Sequence, residues 1–390
     1  MRKGLFIFSL IVFMILSACS KKPESAARVE IIDGIKYVHN TEISLHPNKT
    51  VAFEEDLSIG GEDDEGNIVL FRPSRFIVDQ NENIYITDSQ DQVIKVFDPN
   101  GRYMWTIGAK GEGPGEFKSV RYPTFLPDGR LLVMDSSARR ISIFNSSGEF
   151  LESYQWKKQL GRLQFATDSS CIIAEYFFEG DNPLEGRRLN IKEYDFKGNE
   201  IRSFGEFVPQ EMKIHAERNI AFGIGVPHSP QSIFASDQKR QCLYHCLNDK
   251  YNIEVFDKTG RVFKIIDRPY EPVPFTSKDA EEFRARYEKS RNEDMKKMAK
   301  DMAMPKIKTI TPRMLVDDLG NLFVQTHEQK EEEDRTFTAY DIFNADGYYE
   351  AKVWIDKGPS LLMKGKMYRM ETDEETGYRF LKRYRVIWTD

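Results

Sequence analysis

Ile94-Lys95-Val96-Phe97-Asp98-Pro99-Asn100-Gly101 is the stretch that decides the fold, because the chain spells its pattern five times. The pattern is a short strand, an aromatic residue, Asp or Asn, two free positions, then Gly. The other copies run Ile141 to Gly148, Ile191 to Gly198, Ile253 to Gly260 and Tyr340 to Gly347. Asp98-Pro99-Asn100-Gly101 carries strong turn chemistry: Asp at the first position, Pro presetting φ at the second, Gly at the fourth. The Asp or Asn of each copy (Asp98, Asn145, Asp195, Asp257, Asn344) therefore reads as a cap on backbone amides, not as part of an acidic ring.

Working outward, each copy has a lead-in of strand, polar turn, strand. Phe76 to Asp88 is one; Thr124 to Asp135, Leu163 to Glu175 and Met314 to Gln325 are others. Alternating β-branched and aromatic residues between Asx/Gly turns are hairpin signals. A fourth strand follows each copy, as in Tyr103 to Ile107. Four antiparallel strands per repeat is the grammar of a propeller blade. Five blades fall over about 75–107, 121–156, 162–204, 230–267 and 310–355. Residues 360–390 offer three more strands and stop. The missing strand lies at the other end: Val51 to Gly61, with Leu57-Ser58-Ile59-Gly60-Gly61, parallels Trp105-Thr106-Ile107-Gly108-Ala109. The expectation is an all-β, six-bladed β-propeller over 29–390, its last blade closed by an N-terminal strand, which removes an exposed edge.

With Gly108-Ala109-Lys110-Gly111-Glu112-Gly113-Pro114-Gly115-Glu116-Phe117 as its most family-like phrase, the chain resembles the six-bladed propellers of the NHL-repeat type, especially the lipid-anchored ones of Bacteroidetes-like bacteria. The resemblance covers about 50–390. It departs from pattern in the fourth copy, where the lead-in is degraded and two cysteines sit.

The N-terminus carries a separate signal. Arg2 and Lys3 precede the apolar run Leu5 to Leu16, too short to span a bilayer stably. The run ends Leu16-Ser17-Ala18-Cys19, which resembles the bacterial lipobox. Residues 1–18 thus read as a signal peptide, Cys19 as the acylated anchor, and residues 19–28 as a polar tether. By the sorting pattern of lipoproteins, Ser20 directs the protein to the outer membrane, facing the periplasm or the cell surface. Removing residues 1–18 takes away Arg2 and Lys3, so the mature charge is 54 − 62 = −8. That argues against nucleic acid as a partner, which needs a basic face. Cys171, Cys242 and Cys246 remain. Cys242 and Cys246 share a strand face about 13 Å apart, beyond the ~7 Å reach of a disulfide, so free thiols are expected. A monomer is expected.

One insertion breaks the period. The motif glycines are spaced by 47, 50, 62 and 87 residues, and the last excess is Thr276 to Pro305. Residues 278–301 hold 8 basic and 7 acidic side chains. Phe283, Tyr287, Met295, Met298 and Met302 make a thin apolar stripe, so the segment reads as one solvated helix (about 276–305) over the entrance of the fifth blade.

Chemistry is sparse. The six histidines show none of the local spacings of a metal site, no nucleophile elbow or phosphate-cradling loop appears, and no cofactor is expected. Asp63-Asp64-Glu65-Gly66-Asn67 lacks the ligand order of a calcium loop. The links between blades flank the axial channel, and Arg75, Arg121, Tyr122, Arg162, His228, Arg313 and His327 lie in or near them. These cationic and aromatic groups suit an anionic ligand such as an acidic glycan. The leading expectation is a non-catalytic envelope protein binding a peptide, protein or glycan. The alternative is an envelope lyase or hydrolase with a site at the channel mouth.

Overall fold

The computed structural model describes residues 27–62, 69–158, 160–178, 186–217 and 220–389. The signal peptide, Cys19, residues 20–26 of the tether and the 63–67 loop lie outside them. Six four-stranded antiparallel blades stand around an axis. Blade 1 is Pro73–Val78, Ile84–Asp88, Val93–Phe97 and Tyr103–Ile107. Blade 2 runs from Val120–Phe125 to Phe150–Gln155, blade 3 from Arg162–Ala166 to Glu200–Phe207, and blade 4 from Ser232–Asp237 to Val262–Asp267. Blade 5 runs from Arg313–Val316 to Tyr349–Ile355. Blade 6 is Leu361–Met363, Lys366–Thr372, Arg379–Thr389 and, as its outermost strand, Thr50–Gly60. The expected closure is present, with Val51 opposite Trp388 and Ile59 opposite Leu381.

The motif turns fold as their chemistry dictates. Asp98 accepts the amides of Asn100 and Arg102 at 2.8 and 2.9 Å, and Asn145, Asp257 and Asn344 each accept two amides of their own turns in the same way. The motif glycine has a second task. At Gly148 (φ +84°) a Cβ would stand 2.7 Å from Ile107 Cγ1, in the outer strand of blade 1. Gly101 is placed likewise against Leu57 of the closing strand. Each motif turn therefore leans on the preceding blade, and a side chain there has neither the backbone nor the room. The apolar core follows the same logic, with one cluster between every pair of neighbouring blades. Between blades 4 and 5 the core also buries a charge: Asp341 accepts Tyr251 Oη and Tyr349 Oη at 2.8 Å each and pairs with Arg268 at 2.7 Å.

Three elements depart from the sequence expectation. The 276–305 insertion is two helices, α1 (Ser277–Glu288) and α2 (Glu293–Lys300). Thr276 caps α1 in a capping box with Asp279, and Asn292 caps α2 and so divides the segment. The expected stripe is not solvated. Phe283 and Met302 are buried, and Tyr287, Met295 and Met298 pack beside them against Ile224 and Val226. Ile224 belongs to a second unforeseen element, the hairpin Met212–Glu217/Ile220–Gly225 between blades 3 and 4. The third is a hairpin of Arg28–Ile32 and Ile35–His39, whose second strand pairs in parallel with Val262–Asp267 and widens blade 4 to six strands. Its turn is Asp33-Gly34, both at positive φ, a pair typical of tight hairpins. Cys171, Cys242 and Cys246 are free, and Cys171 and Cys246 are buried.

Candidate functional site

The inner strands of all six blades line an axial cavity of about 1360 Å³. At the mouth where those strands begin, four blades each contribute arginine. Arg75 is third in its strand, Arg121 second, and Arg162 and Arg313 first. Arg75, Tyr122, Arg162 and Arg313 line the cavity, together with Arg379 from blade 6, which the sequence reading did not single out; Arg121 is exposed and is not part of the lining. Arg379 Nη1 donates to the carbonyl of Pro73 at 2.7 Å, tying the last blade to the first at the rim.

Local irregularities aim these side chains. The pairing of the inner strand slips between Pro73 and Arg75, between Arg121 and Thr124, and between Leu163 and Phe165. A bulge of this kind redirects a side chain that regular alternation would send elsewhere. At Arg75 the bulge is fixed by Thr87, whose Oγ1 accepts the Arg75 amide at 3.0 Å and donates to the Arg75 carbonyl at 3.1 Å. Tyr122 sits at φ +43° just before Pro123, a conformation that bulky residues seldom hold without a compensating contact. The contact is Arg75, whose guanidinium carbon lies 4.4 Å from the centre of the Tyr122 ring, a cation–π geometry. Burial lowers the proton affinity of the Arg75 guanidinium. Tyr122 opposes that shift, while the neighbouring charges of Arg162 and Arg121 add to it.

Among the described residues none of Arg75, Arg121, Arg162 and Arg313 is paired with a carboxylate, whereas arginines elsewhere are, as in Arg268–Asp341 and Arg383–Asp56. Ion pairs between adjacent blades therefore do not account for the four. The opposite end of the cavity holds Asp79 and Asp317, which are committed to their own turns: Asp79 accepts the amides of Asn81 and Asn83, and Asp317 those of Leu319 and Asn321.

His228 and His327 are brought together, but away from the cavity lining. Their ring centroids are 4.6 Å apart, between blades 4 and 5 and against Phe275. Thr309 joins them: its amide donates to His228 Nδ1 at 3.1 Å, and its hydroxyl lies 3.4 Å from His327 Nε2. His228 Nδ1 is thus an acceptor with its lone pair engaged. Burial pushes the pKa of His228 down and that of His327 down to about 4, so both rings are neutral at pH 7. Among the described residues no group of three or more His, Cys, Asp or Glu is arranged to hold a metal ion.

Asp88 and Asp135 do more than cap the loop that follows them. Asp88 accepts the amides of Phe71 and Arg72, and Asp135 those of Lys118 and Ser119. Both buried carboxylates thereby hold the preceding inter-blade link at the mouth. Spacing alone does not reveal this, because the donors lie 16 or 17 residues upstream.

A family model described as DUF5128, a 6-bladed β-propeller, matches residues 69–122. No curated protein matches the chain. Among solved structures, a member of the DUF4221 family from Bacteroides vulgatus is 12% identical, with a TM-score of 0.52 over 86% of this chain and 98% of its own. A putative exported protein from Bacteroides fragilis is 11% identical, with a TM-score of 0.49 over 90% and 99%. Virginiamycin B lyase from Staphylococcus aureus is 9% identical, with a TM-score of 0.39 over 86% and 100%. At these identities the likeness is one of fold.

Proposed function

We propose that this chain is a lipid-anchored protein of the cell envelope that binds a carboxylated glycan at the arginine mouth of its channel, without covalent chemistry. The observation that carries the reading is the convergence of Arg75, Arg162 and Arg313, none of them paired with a carboxylate among the described residues, on one mouth of a chain whose net charge is negative. Guanidinium groups pair with carboxylates in bidentate fashion, and each such bond is roughly twice as strong as a neutral one. The Arg75–Tyr122 stack adds a flat face beside the charge. Binding is favoured over catalysis because the titratable side chains at this mouth are guanidiniums and one phenol, which exchange few protons near neutrality. Lipidation at Cys19 rests on the Leu16-Ser17-Ala18-Cys19 sequence, and an outer-membrane location on Ser20 after it.

The test pairs two titrations of the soluble chain from Ser20 onward, one with oligogalacturonate and one with a neutral oligosaccharide of equal length. Saturable binding of the acidic sugar alone, weakened by added salt, is the expected result. Equal binding of both sugars, or of neither, removes the glycan reading. An acidic peptide that binds in their place moves the assignment to peptides.

A further inference from the structure

The hairpin on blade 4 leaves Arg28–Ile32 as an unpaired outer edge. From there the chain runs along the perimeter: the amides of Leu45 and His46 donate to the carbonyls of Tyr349 and Glu350 on the outer strand of blade 5, before Thr50 enters blade 6. This stretch is unusually apolar on its outside. Val29, Ile31, Ile32, Ile43 and Leu45 are 40, 74, 46, 54 and 42% exposed. Five of the seventeen exposed large apolar side chains among the described residues thus fall within residues 29–45. The others are scattered singly or in pairs, as on ordinary surfaces, whereas a concentration of this kind marks an interaction site.

We propose that this perimeter, residues 28–49 on blades 4 and 5, is the face the protein turns to the bilayer, with Val29, Ile31 and Ile32 seated in the lipid headgroup region. The inference rests on the reading of Cys19 as lipidated. The occupant is chosen by where the anchored chain meets the fold. Ala27 is eight peptide units from Cys19, which reach about 30 Å at most, and the next residue, Arg28, opens the strand that carries Val29, Ile31 and Ile32. In sequence Lys21 and Lys22 follow the anchor by two and three residues, and basic residues beside an anchor favour anionic headgroups. Lipid-anchored proteins gain firm attachment when a second contact adds to the acyl chains. One consequence bears on the channel. A propeller that rests on its perimeter holds its axis along the membrane plane, so the arginine mouth opens sideways and is not pressed against lipid.

The test uses the full-length lipidated chain in vesicles of phosphatidylethanolamine and phosphatidylglycerol. A fluorophore is placed at Ile31→Cys or at Leu151→Cys, each in a Cys242→Ser background. Leu151 is equally apolar, 49% exposed, and lies on the outer strand of blade 2. Brominated acyl chains should quench the label at Ile31→Cys several-fold more than the label at Leu151→Cys. Equal quenching overturns the inference, as does protection of Ile31→Cys by self-association without quenching. A parallel chain beginning at Ser20, which carries neither Cys19 nor the apolar run before it, separates the two readings. If it partitions to vesicles as the parent does, the anchor reading fails and the inference falls with it. If only the parent partitions and Leu151→Cys is quenched as strongly, the orientation alone is wrong.

Discussion

Gly148 meets a backbone demand and a packing demand at one position. Its φ of +84° costs about 1 kcal/mol for an L-residue, and a Cβ would also press on Ile107 and Trp105 of the preceding blade. Gly148→Ala should lower the unfolding free energy by about 1–3 kcal/mol, read from urea denaturation. Gly129, also at positive φ but with open space around it, should lose only the conformational part on the same change. His327 makes a prediction in pH. Its folded pKa of about 4 lies below the ordinary 6.5, so folding favours the neutral ring. The stability it contributes is complete above about pH 6.5, and falls as acid protonates the unfolded chain first, between roughly 6.5 and 4. His228, shifted the same way, adds to that fall. In His327→Asn the decline in melting temperature across this window should be shallower; an unchanged slope contradicts the assignment.

At the scale of elements, the sequence was legible wherever one turn or one strand carried its own chemistry. The five Asx-Gly turns and the strand Thr50–Gly60 are readable for that reason: their donors, acceptors and alternation are local. The satellite core was not legible, because Phe283 and Met302 find Ile224 across more than fifty residues of chain, and a thin stripe flanked by charge resembles a solvated helix. Asn292 was available as a signal, being a capping residue in the middle of the segment. Asp33-Gly34 between Ile31-Ile32 and Ile35 is likewise a local hairpin signal. The bulges that aim Arg75, Tyr122 and Arg162 leave no local mark. The satellite core is peripheral to the six interfaces between blades, so it should open independently of them. Phe283→Ala is expected to speed amide exchange in α1, α2 and the Met212–Gly225 hairpin while leaving the exchange of blade strands unchanged. Loss of protection throughout would place these helices within the cooperative unit.

For the whole molecule, an acidic chain places Arg75, Arg162 and Arg313, none paired with a carboxylate among the described residues, at one end of its axis. The closing strand joins blade 6 through the ends of the chain, and Arg379 bonds blade 6 to blade 1 at the same rim. The mouth is thus held by the ring as a unit, with arginines from blades 1, 3 and 5 set on that ring before any ligand arrives, and preorganisation of this kind reduces the ordering cost of binding. The most direct measurement is a calorimetric titration of oligogalacturonate into the parent chain and into Arg162→Ala/Arg313→Ala, with urea denaturation of both. We expect affinity to fall by about tenfold or more, since each charge-assisted bond contributes roughly 1.5–3 kcal/mol, with the unfolding midpoint held. Unchanged affinity together with a lowered midpoint would contradict the account and return these arginines to a purely structural role.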